Sequence, residues 1–574
     1  MLRRLIASFA ALALAGCATS PTLRTASPTS AGTGVDTFRG SVSAADPRAE
    51  AAGMEMLRRG GSATDAAIAV MLALTVVEPQ SSGIGGGGFL VRGTSAGEVE
   101  SFDGRETAPA AATPEWFLAP DGSLPPYGES VRSGLSVGVP GNVAMAARAH
   151  AEHGRLPWAD LFAPAIALAR EGFLVNPRLN RSLSDARDRA AATSLGRELF
   201  FDATGEPHPV GHRVTNEALA RTLEELAADP SIFYSGPETD RWAAAIAGAT
   251  PHDAAMTASD FAAYRAKSRE PVCSTYRAHR ICAMGPPTSG GIAVLQILGL
   301  LERFDLAALG LRNPTTWHLF LEAQRLAYAD RELYLADSDF VTVPVAGLLD
   351  PAYLAQRSAL IDPARRLAEA QAGRPRGAPQ ALADGDEPEE KGTSHFAVVD
   401  AQRTMVSYTS TIEGPFGSGL MVGGFYLNNE LTDFSRSPTV EGRLVANRVD
   451  GGKRPRSSMS PAVVYDPQGR PLLAIGAAGG ATIPVQTARS IIGVIDFGLS
   501  AEEALGLPFI MGFGDAVLVE EGTWLVEAIP AFEALGHEQV SARSVGLKAG
   551  AVLRAGEAWV SARDPRIEAQ VALP

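Results

Sequence analysis

Hydrophobic and polar positions recur along this chain with two different periods, and the change from one to the other divides it. DPRAEAAGMEMLRRGG places apolar residues at helical spacing and stops at Gly60 and Gly61, which predicts a helix. Ser62 or Thr64 then caps a second helix, TDAAIAVMLALTVVE, apolar on nearly every side and so buried. VESFDGRETAP reads as a strand running into a loop. Residues from about 142 to 270 are mainly helical, with Gly/Pro breaks. GPPTSGGIAVLQILGLLERF turns into a buried helix, and WHLFLEAQRLAYADRELYL into an amphipathic one. Residues 371–392 carry Pro, Gly and acidic side chains without periodicity, and read as a flexible acidic linker. After Thr393 short β-rich runs alternate with Gly turns: SHFAVVD, TMVSYTSTI, GGFYLNN, SPAVVYD and PLLAIGAAGG. Helices followed by strands with interspersed helices fit a layered α+β fold.

The first residues follow neither period. MLRR is a positive n-region, and LIASFAALALAG is an apolar stretch too short to span a bilayer. It ends in Leu14, Ala15, Gly16 and Cys17, which resembles a bacterial lipobox, with residues 1–17 a signal peptide and Cys17 the lipidated residue. Ala18 in place of Asp favours an outer-membrane lipoprotein facing the periplasm. Residues 18–36, rich in Ser, Thr, Pro and Gly, read as a tether. Membrane contact is then through the anchor alone. The chain has 574 residues, ordinary globular composition and a net charge of −14 without a long basic run, which argues against nucleic acid as a partner. Cys273 and Cys282 flank a segment of hairpin length. They either pair in an oxidising compartment or stand as two thiols, and two cysteines alone make no metal site.

Two familiar strings fail on context. GIGGGG, Gly83 to Gly88, matches a dinucleotide fingerprint, but a helix precedes it and a strand follows, the reverse of what pyrophosphate binding needs. It reads instead as a Gly-rich turn lining a cleft. GLSVG, Gly134 to Gly138, matches a nucleophile elbow, but it lacks the preceding apolar strand, and Val139, Pro140 and Gly141 separate Ser136 from the next helix. His150 with His153, and His208 with His212, have ligand-like spacing without a carboxylate partner, and read as solvated surface residues.

The linker runs straight into a strand at EEKGTSHFAVVD. A hydroxyl is a weak nucleophile until a base takes its proton, and an N-terminal Thr carries its own base, an α-amine of pKa about 7.7–8.0. Such a residue arises inside a chain only if the preceding bond is cut. The Thr393 hydroxyl attacking the Gly392 carbonyl would form an ester that water hydrolyses. Gly392 leaves that attack unobstructed. Taken alone, the junction reads better as an ordinary loop entering a strand.

Its surroundings resemble the γ-glutamyltransferases, which are N-terminal nucleophile hydrolases. The resemblance runs from about Arg48 to the C-terminus, through AGMEMLRRGGSATDAA, GIGGGGF, FDGRETAP, SVGVPG, PPTSGG, AYADRE, TSHFAVVD, TSTIEGPFGSG, LNNELTDF, GKRPRSSMSP and GAAGGATIP. It implies a four-layer αββα sandwich built from a large subunit, residues 37–392, and a small subunit, residues 393–574, held together as a heterodimer after self-cleavage. Thr393 matches the nucleophile and Thr411 the second threonine that orients it. Gly479 and Gly480 match the backbone N–H pair of the oxyanion hole. Arg105 matches the arginine on the substrate α-carboxylate, with Ser457 and Ser458 adding hydroxyl donors. Glu430 and Asp433 match the acidic pair facing the α-ammonium. The implied substrate is glutathione or a similar γ-glutamyl amide, with water or an amino acid as acceptor and no cofactor or metal.

This sequence departs from the pattern at Glu413, where most members place an Asn near the ammonium, and at 434–453, which is short and lacks the gate tyrosine. A more open cleft is expected. Two readings compete with γ-glutamyl transfer: a cephalosporin-type (glutaryl) acylase of the same fold, and a non-catalytic envelope lipoprotein.

Overall fold

The computed structural model describes residues 40–379, 382–385 and 392–573. Cys17, the leader and the tether lie outside them. Among the described residues, two six-stranded sheets form the centre. In chain order their strands are β1 (Gly40–Ser43), β2 (Gly87–Gly93), β3 (Val99–Asp103), β4 (Lys267–Arg269), β5 (Val272–Tyr276) and β6 (His279–Ala283). There follow β7 (Gly392–Asp400), β8 (Met405–Glu413), β9 (Ala462–Tyr465), β10 (Pro471–Ala478), β11 (Lys548–Ala555) and β12 (Ala558–Arg563). One sheet runs β1-β7-β8-β2-β3-β4 and the other β12-β11-β10-β9-β6-β5.

The sheets stack through β7 and β8 against β10. Helices α1 (Pro47–Arg58) and α2 (Ala63–Val77) cover the outer face of the first. Helices α3 (Gly290–Leu301) and α5 (Ile483–Ile495) cover the second, with α4 (Pro314–Tyr334) packed on α3. This is the expected αββα sandwich. Covered on both faces, β7 and β8 are buried at every position. Ser62 caps α2, its hydroxyl accepting from the Asp65 N–H while the Asp65 carboxylate accepts from the Ser62 N–H. The helix is buried on all sides, as its unbroken apolar pattern requires. Of GGFYLNN, only Phe425–Tyr426 pairs as strand, with Met421–Val422.

Residues before and after the 392/393 junction interleave in both sheets. β7 and β8 are flanked by β1 on one side and β2 on the other, while β9 pairs with β6. A cut at the junction leaves these ladders intact, so the two pieces remain one core.

The linker differs from the expected solvated tether. Gly373 N–H donates to Asp330, Tyr334 O–H donates to the Gly373 carbonyl, and Arg357 donates to the Gln371 carbonyl. Leu382–Ala383 adds as a parallel strand to Leu444–Val445. The segment 371–385 is therefore anchored where it is described, because its backbone groups find partners on α4, on the helix Pro351–Ser358 and on the short hairpin at 439–445. Cys273 and Cys282 face each other across β5 and β6 and are joined in a disulfide.

Candidate active site

Strand register assembles the junction. Gly392 pairs with Glu413 and Ser394 with Ser410, so a bulge isolates Thr393 at the head of β7. The Thr393 Oγ1 hydroxyl lies 2.5 Å from the Gly392 carbonyl oxygen and 3.4 Å from Thr411 Oγ1. Thr411 Oγ1 donates to that carbonyl at 2.7 Å and accepts from the Glu413 N–H at 2.8 Å. The predicted nucleophile, the threonine expected to orient it and the bond expected to be cut thus meet in one buried cluster. The Gly-rich turn passes directly over it. A Cβ on Gly86 would fall 1.9 Å from the Thr411 carbonyl oxygen, so only glycine fits there, and GIGGGG lines the site as expected.

Beneath Thr393 lie groups the sequence reading did not single out. Ser394 donates to Glu78 at 2.6 Å, and Glu78 also pairs with Arg178. Lys548, the first residue of β11, donates from Nζ to the Thr393 carbonyl at 2.8 Å. Burial first, and Arg178 second, push this lysine down to about 7, while Glu78 acts in the opposite direction.

Arg105 is 1% exposed and is wrapped by partners. It pairs with Glu430 and Asp433, and donates to the carbonyls of Pro455 at 3.2 Å and Arg456 at 3.0 Å. Three expected head-group residues are therefore together, with their charges closed on one another. Ser457 and Ser458 follow the same loop, but their hydroxyls serve other contacts: Ser457 accepts from the Met459 N–H and Ser458 from Arg331. The Thr288 and Ser289 hydroxyls of PPTSGG hold the Ser457 carbonyl and so fix this loop. Glu106, 3.8 Å from Arg105, also escaped the sequence reading; burial raises its carboxyl to about 7 against the pull of Arg105.

Glu413 has a φ of +69° and its carboxylate accepts from Asn429. With Asn429, Tyr127 and Arg189 it lines a cavity of about 300 Å³. Asn429 in turn accepts from the Gly414 N–H, tying the 428–433 turn to the end of β8. Gly479 and Gly480, at φ +124° and +59°, follow β10 directly. Gly479 opens onto a cleft of about 650 Å³ walled by Phe509, Phe513 and Leu547. Gln486 bridges this turn to β11, donating to the Ala478 carbonyl and accepting from the Lys548 N–H.

The nucleophile-elbow string and the spaced histidines stay outside this site. Ser136 is buried and donates to backbone carbonyls. His150, His153 and His208 are half-buried rather than solvated: His150 bonds the Leu156 carbonyl and His153 meets Glu100. His318, Glu322 and His537 form one buried cluster with metal-like spacing among the described residues. Its ligand atoms are engaged with one another and with neighbours, except His537 Nδ1, which is buried without a hydrogen-bond partner among the described residues. The two rings bond each other at 2.9 Å, His318 also reaches the Asp362 carbonyl, and Glu322 accepts from Arg325 and the Leu367 N–H. The cluster pins the 362–367 loop to α4.

A family model described as Gamma-glutamyltranspeptidase matches residues 49–573. A glutathione hydrolase proenzyme of Escherichia coli (strain K12) is 34% identical, covering 97% of each chain. Among solved structures, a cephalosporin acylase from Bacillus halodurans is similar with a TM-score of 0.80 and 28% identity, over 92% of this chain and 95% of that one. A Helicobacter pylori gamma-glutamyltranspeptidase chain gives 0.54 and 36%, over 57% of this chain and 93% of that one.

Proposed function

The chain belongs to the γ-glutamyltranspeptidase family, and from that premise we propose that this autoprocessed enzyme cuts itself between Gly392 and Thr393 and then uses Thr393 to take γ-glutamyl groups from amides such as glutathione. One observation carries the reading: the Gly392 carbonyl is held by the hydroxyls of both Thr393 and Thr411. In the first reaction Thr393 Oγ1 attacks the Gly392 carbonyl carbon and the Thr393 nitrogen leaves with a proton. Water hydrolyses the resulting ester, giving a large subunit ending at Gly392 and a small subunit beginning at Thr393.

The freed α-amine is then the base. It takes the hydroxyl proton as Oγ1 attacks the substrate's γ-carbonyl, and returns it to the leaving amine. The N–H groups of Gly479 and Gly480 receive the oxyanion. Arg105 takes the α-carboxylate by exchanging Glu430 and Asp433 for it, and those carboxylates turn to the α-ammonium. Serines 457 and 458 shape the carboxylate end through their loop. The γ-glutamyl ester passes to water or to an amino acid. N-terminal sequencing of the small fragment tests the first step: a residue other than Thr393 refutes it. Thr393→Ala should leave one uncut chain without turnover.

A second reading, a glutaryl acylase, is supported by the likeness to the cephalosporin acylase structure, and Glu413, which would attract an ammonium and repel a glutaryl carboxylate, weighs against it. Rates on γ-glutamyl-p-nitroanilide against its glutaryl analogue decide between them. A non-catalytic envelope protein would show one full-length band on a denaturing gel. The N-terminal pattern supports a lipid anchor at Cys17 and a periplasm-facing outer-membrane location, and the Cys273–Cys282 disulfide suits an oxidising compartment. Cys17→Ala should move the protein out of the membrane fraction, and retention there would refute the anchor.

A further inference from the structure

We propose that Lys548 is a positioning residue for the nucleophile, gripping the Thr393 carbonyl and keeping a positive charge beside the α-amine that self-cleavage frees. The inference rests on Thr393 being that nucleophile. The grip is direct, Nζ to carbonyl oxygen at 2.8 Å. Carbonyl oxygen and amide nitrogen of one residue are never more than about 3.6 Å apart. Nζ therefore lies within about 6.5 Å of the α-nitrogen, a range in which a like charge disfavours protonation.

The groups around Lys548 do not cancel its charge. Glu78, at the end of α2, is taken up by Arg178 of the helix Pro177–Asp185 and by the Ser394 hydroxyl. Gln486 of α5 meets the lysine only at its backbone N–H. His395, the next ring along β7, bonds Thr409 and is held neutral by burial. Two amines so close take one proton between them near neutrality. The hydrogen bond to the Thr393 carbonyl favours that proton on Lys548, which leaves the α-amine as free base. The backbone of Lys548 adds a second link, since it pairs with Ala478, the residue before Gly479. One residue thereby references the nucleophile to the oxyanion turn.

The test uses the full chain with three substitutions. Lys548→Gln keeps a donor without charge, Lys548→Met removes both, and Lys548→Arg keeps both. Each small fragment is first sequenced; a start other than Thr393 defeats the nucleophile assignment rather than the role of the lysine. The rate constant kcat/KM on γ-glutamyl-p-nitroanilide is then followed against pH. In the Gln and Met variants the acid limb should move up by about one pH unit, about a tenfold loss at pH 7 that closes above pH 9. The Arg variant should keep the wild-type limb. A uniform loss without a shift, or an equal loss in all three, overturns the proposal. So does a variant that melts like the wild type yet stays uncut, because the α-amine does not exist before the cut.

Discussion

Thr411 and Gly392 are bonded across adjacent strands, hydroxyl to carbonyl oxygen at 2.7 Å, with the Glu413 N–H holding the hydroxyl from behind at 2.8 Å. The donor is aimed at the oxygen that gains negative charge when Thr393 attacks. Losing one such donor costs about 10²–10³ in rate. Thr411→Val should slow self-cleavage by that order, read as appearance of the small fragment over time on denaturing gels. Thr411→Ser should restore most of it. A Val variant that cuts at the wild-type rate would leave Thr411 with no part in the first reaction.

Gly392 is confined by backbone. A Cβ there would sit 2.4 Å from the Glu413 carbonyl oxygen and 2.9 Å from the Gly414 carbonyl carbon, neither able to rotate away. Gly392→Ala should displace the scissile bond and let precursor accumulate. After the cut, residue 392 is a chain end and outside the turnover cycle. Activity per processed molecule should therefore match the wild type, and an equal fall in both quantities would contradict the geometry.

What could be read from the sequence divides along physical lines. Ser62, α2 and the paired strands β7 and β8 were legible because a cap and a period are local properties of the chain. GIGGGG was correctly placed by its neighbours, helix before and strand after. The described part of the linker, 371–379 and 382–385, is more anchored than its composition suggests because its partners are remote: Leu382–Ala383 finds Leu444–Val445 through a pairing that no local pattern encodes. Arg105, Glu430 and Asp433 were found only by resemblance, since a lone charge in sequence looks solvated. Lys548 was missed for a related reason. It opens an ordinary strand, and its role appears only when β11 lies beside β10 and its side chain meets Thr393.

Two buried imidazoles set an acid limit on stability. Burial lowers His395 to about 3, and burial together with His318, Arg325 and Arg366 lowers His537 to about 3. In the unfolded chain each titrates near 6.5. The folded state is thus fully favoured above pH 6.5 and loses stability as pH falls from there through 3. Each ring contributes about 1.4 kcal/mol per pH unit in that window, or about 2 kcal/mol between pH 7.5 and 5. Urea titrations at the two pH values should show His395→Asn less stable at pH 7.5 but with its acid loss smaller by about 2 kcal/mol. Equal acid losses in variant and wild type would mean His395 is protonated in the fold.

Glu413 tests which head group the pocket is built for. Its carboxylate is bonded by Asn429 and lies near Arg189, whose guanidinium it helps keep charged against burial. If the carboxylate also faces the substrate's ammonium, Glu413→Gln keeps the shape and removes the attraction. The KM for γ-glutamyl-p-nitroanilide should then rise about tenfold, roughly 1.4 kcal/mol. The glutaryl analogue has no ammonium, so its KM should stay level or fall. The diagnostic quantity is the ratio of kcat/KM for the two compounds, because a general loosening of the pocket would lower both together. An unchanged ratio would assign the Glu413 charge to Arg189 alone and remove it from substrate selection. A ratio shifted toward the glutaryl compound would make this one carboxylate a determinant that separates γ-glutamyl transfer from acylase activity on a shared scaffold.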